Sequence, residues 1–279
     1  MLAPLSLPAE DPLVTLTQPK HTLWVLELHN GADNRLTPTL IKGVMTALNE
    51  VEKQWRSQVK AAVKAQAQER NEKKFKQEAG GALIIVGKKS QDKFFSNGLD
   101  FAKSSKDPNF FPVHFDPMLA RILTFPIPTI AAINGHCYAG GFMLSLVCDY
   151  RIMTDGSSRN AWLCMNEVHF GAPWPHSFTA ILAGKFGDHR LHRKIALEGH
   201  RFTAPEALAD GILDHIVNGK TADILAKAEE VADSVSGNAA LGVWGLIKEN
   251  IYRSTLDRIR ADWRLTKPDQ DDAAFFAKL

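Results

Sequence analysis

Residues 126–149, PIPTIAAINGHCYAGGFMLSLVCD, restrict the architecture of this chain more than any other stretch. Residues 128–133 form a short apolar, β-branched run with the character of a buried strand. Asn134-Gly135 breaks that run, and Ala139-Gly140-Gly141 opens an apolar helix over residues 142–148, ending at Asp149. A helix entered through paired glycines leaves its first N–H groups without partners at the positive end of the helix dipole. Negative charge is stabilised there, and the missing side chains let a ligand approach the backbone closely. The stretch predicts a strand–turn–helix unit whose turn serves an anion.

Bulk properties exclude several classes. Lys+Arg 33 against Asp+Glu 31 gives a formal net charge of +2, which carries no general electrostatic case for nucleic acid. No apolar run approaches the length of a membrane span. The first residues, MLAPLSLPAEDPLVTL, lack a basic segment followed by a long apolar core, so no secretory signal is expected. Cys137, Cys148 and Cys164 show no CxxC or Cys/His spacing and read as reduced thiols of an intracellular protein without structural zinc. The final residues, Ala277-Lys278-Leu279, are a conservative variant of the Ser-Lys-Leu peroxisomal address. By themselves they are equally readable as a chance ending.

Taken in order, residues 13–18 and 22–28 read as strands joined at Pro19-Lys20-His21. Thr37-Pro38 offers an N-cap and a first-turn proline, and a helical pattern then runs to about residue 78. Leu40, Ile41, Val44, Met45, Leu48 and Val51 give its first half a core-facing stripe. Its second half is rich in Ala, Lys and Gln; a continuous helix of this length would measure roughly 60 Å, so it should project or break. The Lys-rich run over 60–76 is read as a solvated face with interspersed glutamates, in preference to a nucleic-acid patch. Gly80-Gly81 ends the helix, and residues 82–87 are a buried strand. A polar loop leads into FFSNGLD at 94–100; residues 107–117 read as a mobile pocket wall and 118–123 as a helix. Strands follow at 150–153 and within 161–171, helices at 178–186, 189–198 and 204–209, and a short strand or an extended exit at 212–217. Residues 221–261 read as two helices separated by Ser236-Gly237-Asn238, followed by a polar tail. The alternation predicts an α/β fold with a helical C-terminal region.

Phosphate-cradle glycine motifs, a G-x-S-x-G elbow and HExxH are absent. His136, His169 and His176 lie near interesting segments but read as structural side chains. Three segments together form a signature: Phe95-Ser96-Asn97-Gly98-Leu99-Asp100, then Asn134-Gly135-His136-Cys137-Tyr138-Ala139-Gly140-Gly141, then Met165-Asn166-Glu167 ahead of Gly171. Their order, spacing and flanking strands resemble the crotonase (enoyl-CoA hydratase/isomerase) superfamily over roughly residues 22–217.

That resemblance implies a ββα spiral core and an acyl-CoA substrate, with no cofactor beyond the coenzyme A that the substrate carries. It implies an oxyanion hole made by the backbone N–H groups of Leu99 and Gly140. Ser96, Asn97, Gly98, Asp100, Gly141, Met143 and Trp174 are the expected substrate-binding neighbours. Asp100 is expected to hold the Leu99 turn by an Asx-type bond. Trp174 is read as core in preference to acyl pocket, and Met143 is either pocket wall or helix core.

The family's two acid positions fall here on Met143 and Glu167. Hydration needs two carboxylates, whereas moving a double bond needs one. Together with Met-Asn-Glu and the Ala-Pro-Trp-Pro run after it, this resembles the Δ3,Δ2-enoyl-CoA isomerase branch, particularly its peroxisomal members. Glu167 is the expected acid–base, its pKa raised by apolar neighbours Leu163, Val168, Phe170 and Trp174. Dienoyl-CoA isomerase, CoA-ester hydrolase, a non-catalytic acyl-CoA-binding scaffold and an RNA-associated protein remain alternatives.

A core is expected over 1–205 and a C-terminal helical oligomerisation region with a targeting tail over 206–279. Further implications are a homotrimer or hexamer through residues 221–261, peroxisomal location and an import receptor as partner; no nucleic acid or membrane span is expected.

Overall fold

The computed structural model describes residues 3–69, 71–261 and 264–278. Its strands are β1 (Leu5–Leu7), β2 (Val14–Lys20), β3 (Leu23–Leu28), β4 (Ala82–Val86), β5 (Phe94–Ser96), β6 (Thr129–Ile133), β7 (His136–Tyr138), β8 (Tyr150–Thr154), β9 (Leu163–Cys164) and β10 (His215–Val217). The helices are α1 (Pro38–Glu69), α2 (Glu72–Ala79), α3 (Phe101–Ser104), α4 (Asp116–Leu123), α5 (Gly140–Val147), α6 (His176–Lys185), α7 (His189–Ala196), α8 (Ala204–Ala209), α9 (Thr221–Val235), α10 (Trp244–Ile251), α11 (Arg253–Arg260) and α12 (Pro268–Phe276).

Two sheets organise these elements. The larger has the order β1-β2-β3-β4-β6-β8-β10, antiparallel through β3 and parallel from there on; the smaller is a parallel β5-β7-β9 ribbon. Successive turns of chain place one strand in the large sheet, the next in the small sheet, and then a helix. β4 and β5 lead to α3 and α4, β6 and β7 to α5, and β8 and β9 to α6. This is the expected ββα spiral.

Every residue of β4 and β6 is buried, as a parallel strand covered on both faces requires. Ile84, Ala132 and Ile152 pack under Ile224, Ala228 and Val231 of α9, while Leu83, Ile85 and Ile133 face the main core with Leu40, Val44 and Leu48 of α1. Burying the aliphatic surface on both faces is the main stabilising contribution, at roughly 25 cal/mol per Å² of apolar area.

Of the two outcomes expected for the long helix, the break is the one observed, and several other expectations are revised. The long helix breaks after Glu69, and Asn71 caps α2 by accepting from Lys74 N. The second helix folds back so that Phe75 and Ala79 bury against Ala62, Val59 and Ala240. Lys60, Lys64, Lys73 and Lys76 remain exposed. Residues 107–117 are largely helical, with a π-helical turn over Phe110–Phe115 running into α4. Beyond α9 the chain makes a 3₁₀ turn and two short helices in place of one, and part of the expected polar tail is α12. Segment 206–279 returns β10 to the main sheet beside β8, so the expected boundary at 205/206 falls within one layer. Ala277 and Lys278 follow α12; Leu279 lies outside the described residues.

Asp149 locks the central unit. Its carboxylate accepts from Thr129 N and Oγ1, from Trp244 Nε1 and from Lys248 Nζ. The start of β6, the end of α5 and the C-terminal helix α10 therefore meet at one partly buried charge.

Candidate active site

The small sheet assembles the three motif segments. β5 ends at Ser96, β7 at Tyr138 and β9 at Cys164, and parallel pairing puts all three carboxyl ends on the same side. Ligands bind characteristically at that end of parallel strands. Ala139 N donates to Cys164 O at 2.8 Å, tying the glycine cluster to the strand that leads into Glu167.

The first two segments touch so closely that only glycine fits between them. A Cβ on Gly98, whose φ is +81°, would stand 2.7 Å from Ala139 Cβ and 3.2 Å from Gly140 N. One on Gly140 would stand 2.7 Å from Leu99 Cδ2, and one on Gly141 2.7 Å from Ser96 Cβ. Ala139 itself has φ 51° and ψ −124°, a conformation that costs a residue with a Cβ about 1–3 kcal/mol. That turn opens α5, whose first N–H groups find no partner within the helix. Neither the Leu99 nor the Gly140 N–H donates to another group among the described residues.

A clamp that sequence reasoning missed holds the Leu99 loop. Asn34, buried with φ 58°, donates to Leu28 O and Phe95 O, and its carbonyl accepts from Ser96 Oγ. Ser96 Oγ in turn accepts from Gly98 N. Asn97 Nδ2 donates to Asp33 Oδ2, Leu36 N to Gly98 O and Arg35 Nη1 to Leu99 O. Asn in a positive-φ turn was the available signal, but its partners Phe95 and Ser96 lie some sixty residues away and only the fold supplies them.

A cavity of about 970 Å³ opens here. Asn97, Leu99, Ala139 and Glu167 line it, with Phe111, Phe170, Ala172 and Phe178 as apolar wall. Arg35, Lys106, Arg258, Arg264 and Lys267 also border it and supply positive charge. Glu167 opens a 3₁₀ turn and is only 7% exposed. Burial pushes its carboxyl up to about 7, although its own backbone N–H and the Trp174 indole favour the charged form. Its Oε2 is buried without a hydrogen-bond partner among the described residues. A carboxyl in that state holds or releases a proton near neutrality.

Other expected residues have different placements. Ser96 steadies the loop and does not line the cavity, and Gly141 packs on it. Met143 is fully buried helix core. Asp100 makes no capping bond to the turn and pairs instead with Lys103. Trp174 lies beside Glu167 and edge-on to Phe178, behind the lining. Val168 and Phe170 are about half exposed, so they are not the burial that raises Glu167.

His136 stacks on Trp162 and accepts from its backbone N–H, and His169 is hydrogen-bonded to Glu198 O. His176 borders the cavity and pairs with Arg258 Nε at 3.1 Å. A second buried acid was missed altogether: Asp116, 9% exposed, lines the same cavity with Ser177 beside it. No group of side chains suited to a metal ion occurs among the described residues.

Comparison with known proteins points the same way. The enoyl-CoA hydratase/isomerase family model matches residues 72–255. The chain is 30% identical over 238 residues to enoyl-CoA delta isomerase 3 of Arabidopsis thaliana, covering 82% of this chain and 88% of that one. It is 30% identical over 240 residues to the peroxisomal enoyl-CoA delta isomerase 2 of the same plant, with the same coverages. In fold it is similar to human mitochondrial delta3-delta2-enoyl-CoA isomerase, with a TM-score of 0.68 at 20% identity over 95% of this chain and 91% of that one.

Proposed function

Because the chain belongs to the enoyl-CoA hydratase/isomerase family, we propose that it is a Δ3,Δ2-enoyl-CoA isomerase that moves the double bond of 3-enoyl-CoA to give trans-2-enoyl-CoA. One observation carries the reading. Glu167 stands as a buried carboxyl on the cavity wall, its pKa pushed up to about 7 by burial, while the position three residues past Gly140 is the fully buried Met143.

In this mechanism the thioester oxygen accepts from the N–H groups of Leu99 and Gly140. Glu167 takes a proton from C2, the C2–H electrons enter the conjugated system, and negative charge gathers on the oxygen as a dienolate. Each donor aimed at that oxygen is worth about 3–4 kcal/mol of barrier. The carboxyl of Glu167 then returns the proton to C4, leaving the double bond between C2 and C3. No water is consumed, so a second carboxylate beside C3 is not needed. Basic groups at the cavity, Arg35, Lys106, Arg258 and Lys267, suit the phosphates of coenzyme A.

Asp116 favours a second reading. A dienoyl-CoA isomerase needs two acids in one cavity, and Asp116 is a buried acid in the same wall as Glu167. The deciding assay follows 3-hexenoyl-CoA, 2-hexenoyl-CoA and a 3,5-dienoyl-CoA in parallel, for wild type and Glu167→Gln. Conversion of the first without hydration of the second, lost in the variant, is the expected result; hydration alone would sink the proposal.

The proposed setting is the peroxisome, reached through an import receptor that reads Ala277-Lys278-Leu279. Support comes from that tripeptide and from the peroxisomal relative. Self-association as a trimer or hexamer through residues 221–261 is proposed from the exposed Leu246, Ile247 and Ile251 on α10.

A further inference from the structure

Among the buried polar side chains of the cavity wall that the isomerase chemistry leaves unused, Asp116 and Ser177 stand out because each has a buried oxygen without a partner among the described residues. Asp116 begins α4 and Ser177 sits in the first turn of α6. They are 9% and 1% exposed, and both belong to the cavity lining. The Ser177 hydroxyl lies near enough to favour the charged carboxyl, yet burial dominates and lifts Asp116 to about 7. Hydrogen-bond geometry between them is not reached, so Asp116 Oδ1 and Ser177 Oγ are both buried without a partner among the described residues. Neither side chain caps its own helix.

Their surroundings are aromatic. Phe115 precedes Asp116, Phe178 follows Ser177, and the two rings lie 6.0 Å apart with Phe111 against both. A purely hydrocarbon acyl chain passing this wall would leave two desolvated polar atoms unsatisfied, an arrangement that disfavours binding. A ligand group able both to donate and to accept would satisfy the pair.

A hydroxyl does so whatever the protonation state of the acid. It donates to the Asp116 carboxylate or accepts from the carboxyl, and the Ser177 hydroxyl adapts by rotation. A second carboxylate would be repelled by charged Asp116, and an amine would require Asp116 to stay ionised. We propose that Asp116 and Ser177 form a subsite for a hydroxyl group on the acyl chain, making hydroxylated 3-enoyl-CoA esters the preferred substrates.

This proposal rests on the isomerase reading for its chemistry, and the test separates the two. Isomerisation is measured for an unsubstituted 3-enoyl-CoA and for esters bearing one hydroxyl at successive carbons beyond C4. Binding of saturated acyl-CoA esters with and without the same hydroxyl is measured by calorimetry, which reads the subsite without any reaction. For at least one hydroxyl position, wild type should favour the hydroxylated ester by about 10- to 100-fold in kcat/KM and in Kd. In Asp116→Leu and Ser177→Ala that ratio should fall towards one. Asp116→Asn, which keeps the shape and one hydrogen-bonding role, should retain part of it.

A ratio of about one at every position in both measurements would show that the subsite holds water only, and would overturn the proposal. A preference that survives in Asp116→Leu would also overturn it. So would loss of turnover in that variant with the binding ratio intact, because Asp116 would then be a proton carrier. Absence of isomerisation with the calorimetric preference retained would remove the reaction assigned above and keep the subsite.

Discussion

Glu167→Gln tests whether burial of that carboxyl is real, independently of any substrate. The folded chain holds the proton to about 7, against 4.5 for the free side chain. Between these values the folded state binds more protons than the unfolded state, so stability falls as pH rises through the window. Integrating the linkage gives a cost of about 1 kcal/mol at pH 5 and about 3 kcal/mol at pH 8, relative to a group that never ionises. Glutamine is that group. Any packing or amide hydrogen-bond penalty of the substitution is the same at both pH values, and Asp116 titrates in both proteins. What remains is a gap in stability, variant minus wild type, that widens in favour of the variant by about 2 kcal/mol from pH 5 to pH 8. For a chain of this size that is about 4–8 °C in Tm. Differential scanning calorimetry at fixed protein concentration reads it directly. A gap that does not change with pH, or one that narrows, refutes a buried carboxyl with a raised pKa at this position.

In the proposed mechanism the same carboxyl sets the pH profile of turnover. A base that must be deprotonated predicts a kcat/KM that is level above about 7 and drops about tenfold per pH unit below it; a profile still flat at pH 5.5 would contradict the assignment. Gly98→Ala should lower kcat by about 10²–10³, the loss expected for one displaced oxyanion donor. Its φ of +81° and the 2.7 Å approach to Ala139 Cβ leave no room for a methyl group without moving the turn. Steady-state kinetics with a circular-dichroism control checks this. Lys248→Met leaves Asp149 without its cation in a site where the two side chains are only 6% and 11% exposed. Stability should fall by about 3–5 kcal/mol, towards the low end because Thr129 and Trp244 still donate to Asp149. Urea unfolding with an unchanged m-value reads the shift.

Much of the architecture is written locally. The buried runs at 82–86 and 129–133 are strands because an unbroken β-branched or small apolar run can be hidden only between two covering layers. The glycine pair at 140 and 141 marks a helix start because no larger residue tolerates the contacts made there. The candidate acid Glu167 was legible through its motif and its place after a strand. Boundaries were less so: the break after Glu69 depends on Phe75 finding Ala62 and Ala240, a contact no local pattern announces.

The working surface of the site was decided only by the tertiary structure. Ser96 was expected against the ligand, yet it is spent on Asn34 and Gly98; Trp174, for which both core and acyl pocket were open, stands behind the wall. Asp116 and Ser177 carried no sequence signal, since an Asp or Ser near a helix start is ordinarily a solvated cap. What made them cavity groups was the approach of α4 and α6 under α11. The physical reason for the division is range. Propensity and patterning act over a few residues. Desolvation, and with it the pKa of Glu167 and Asp116, depends on which distant segments exclude water.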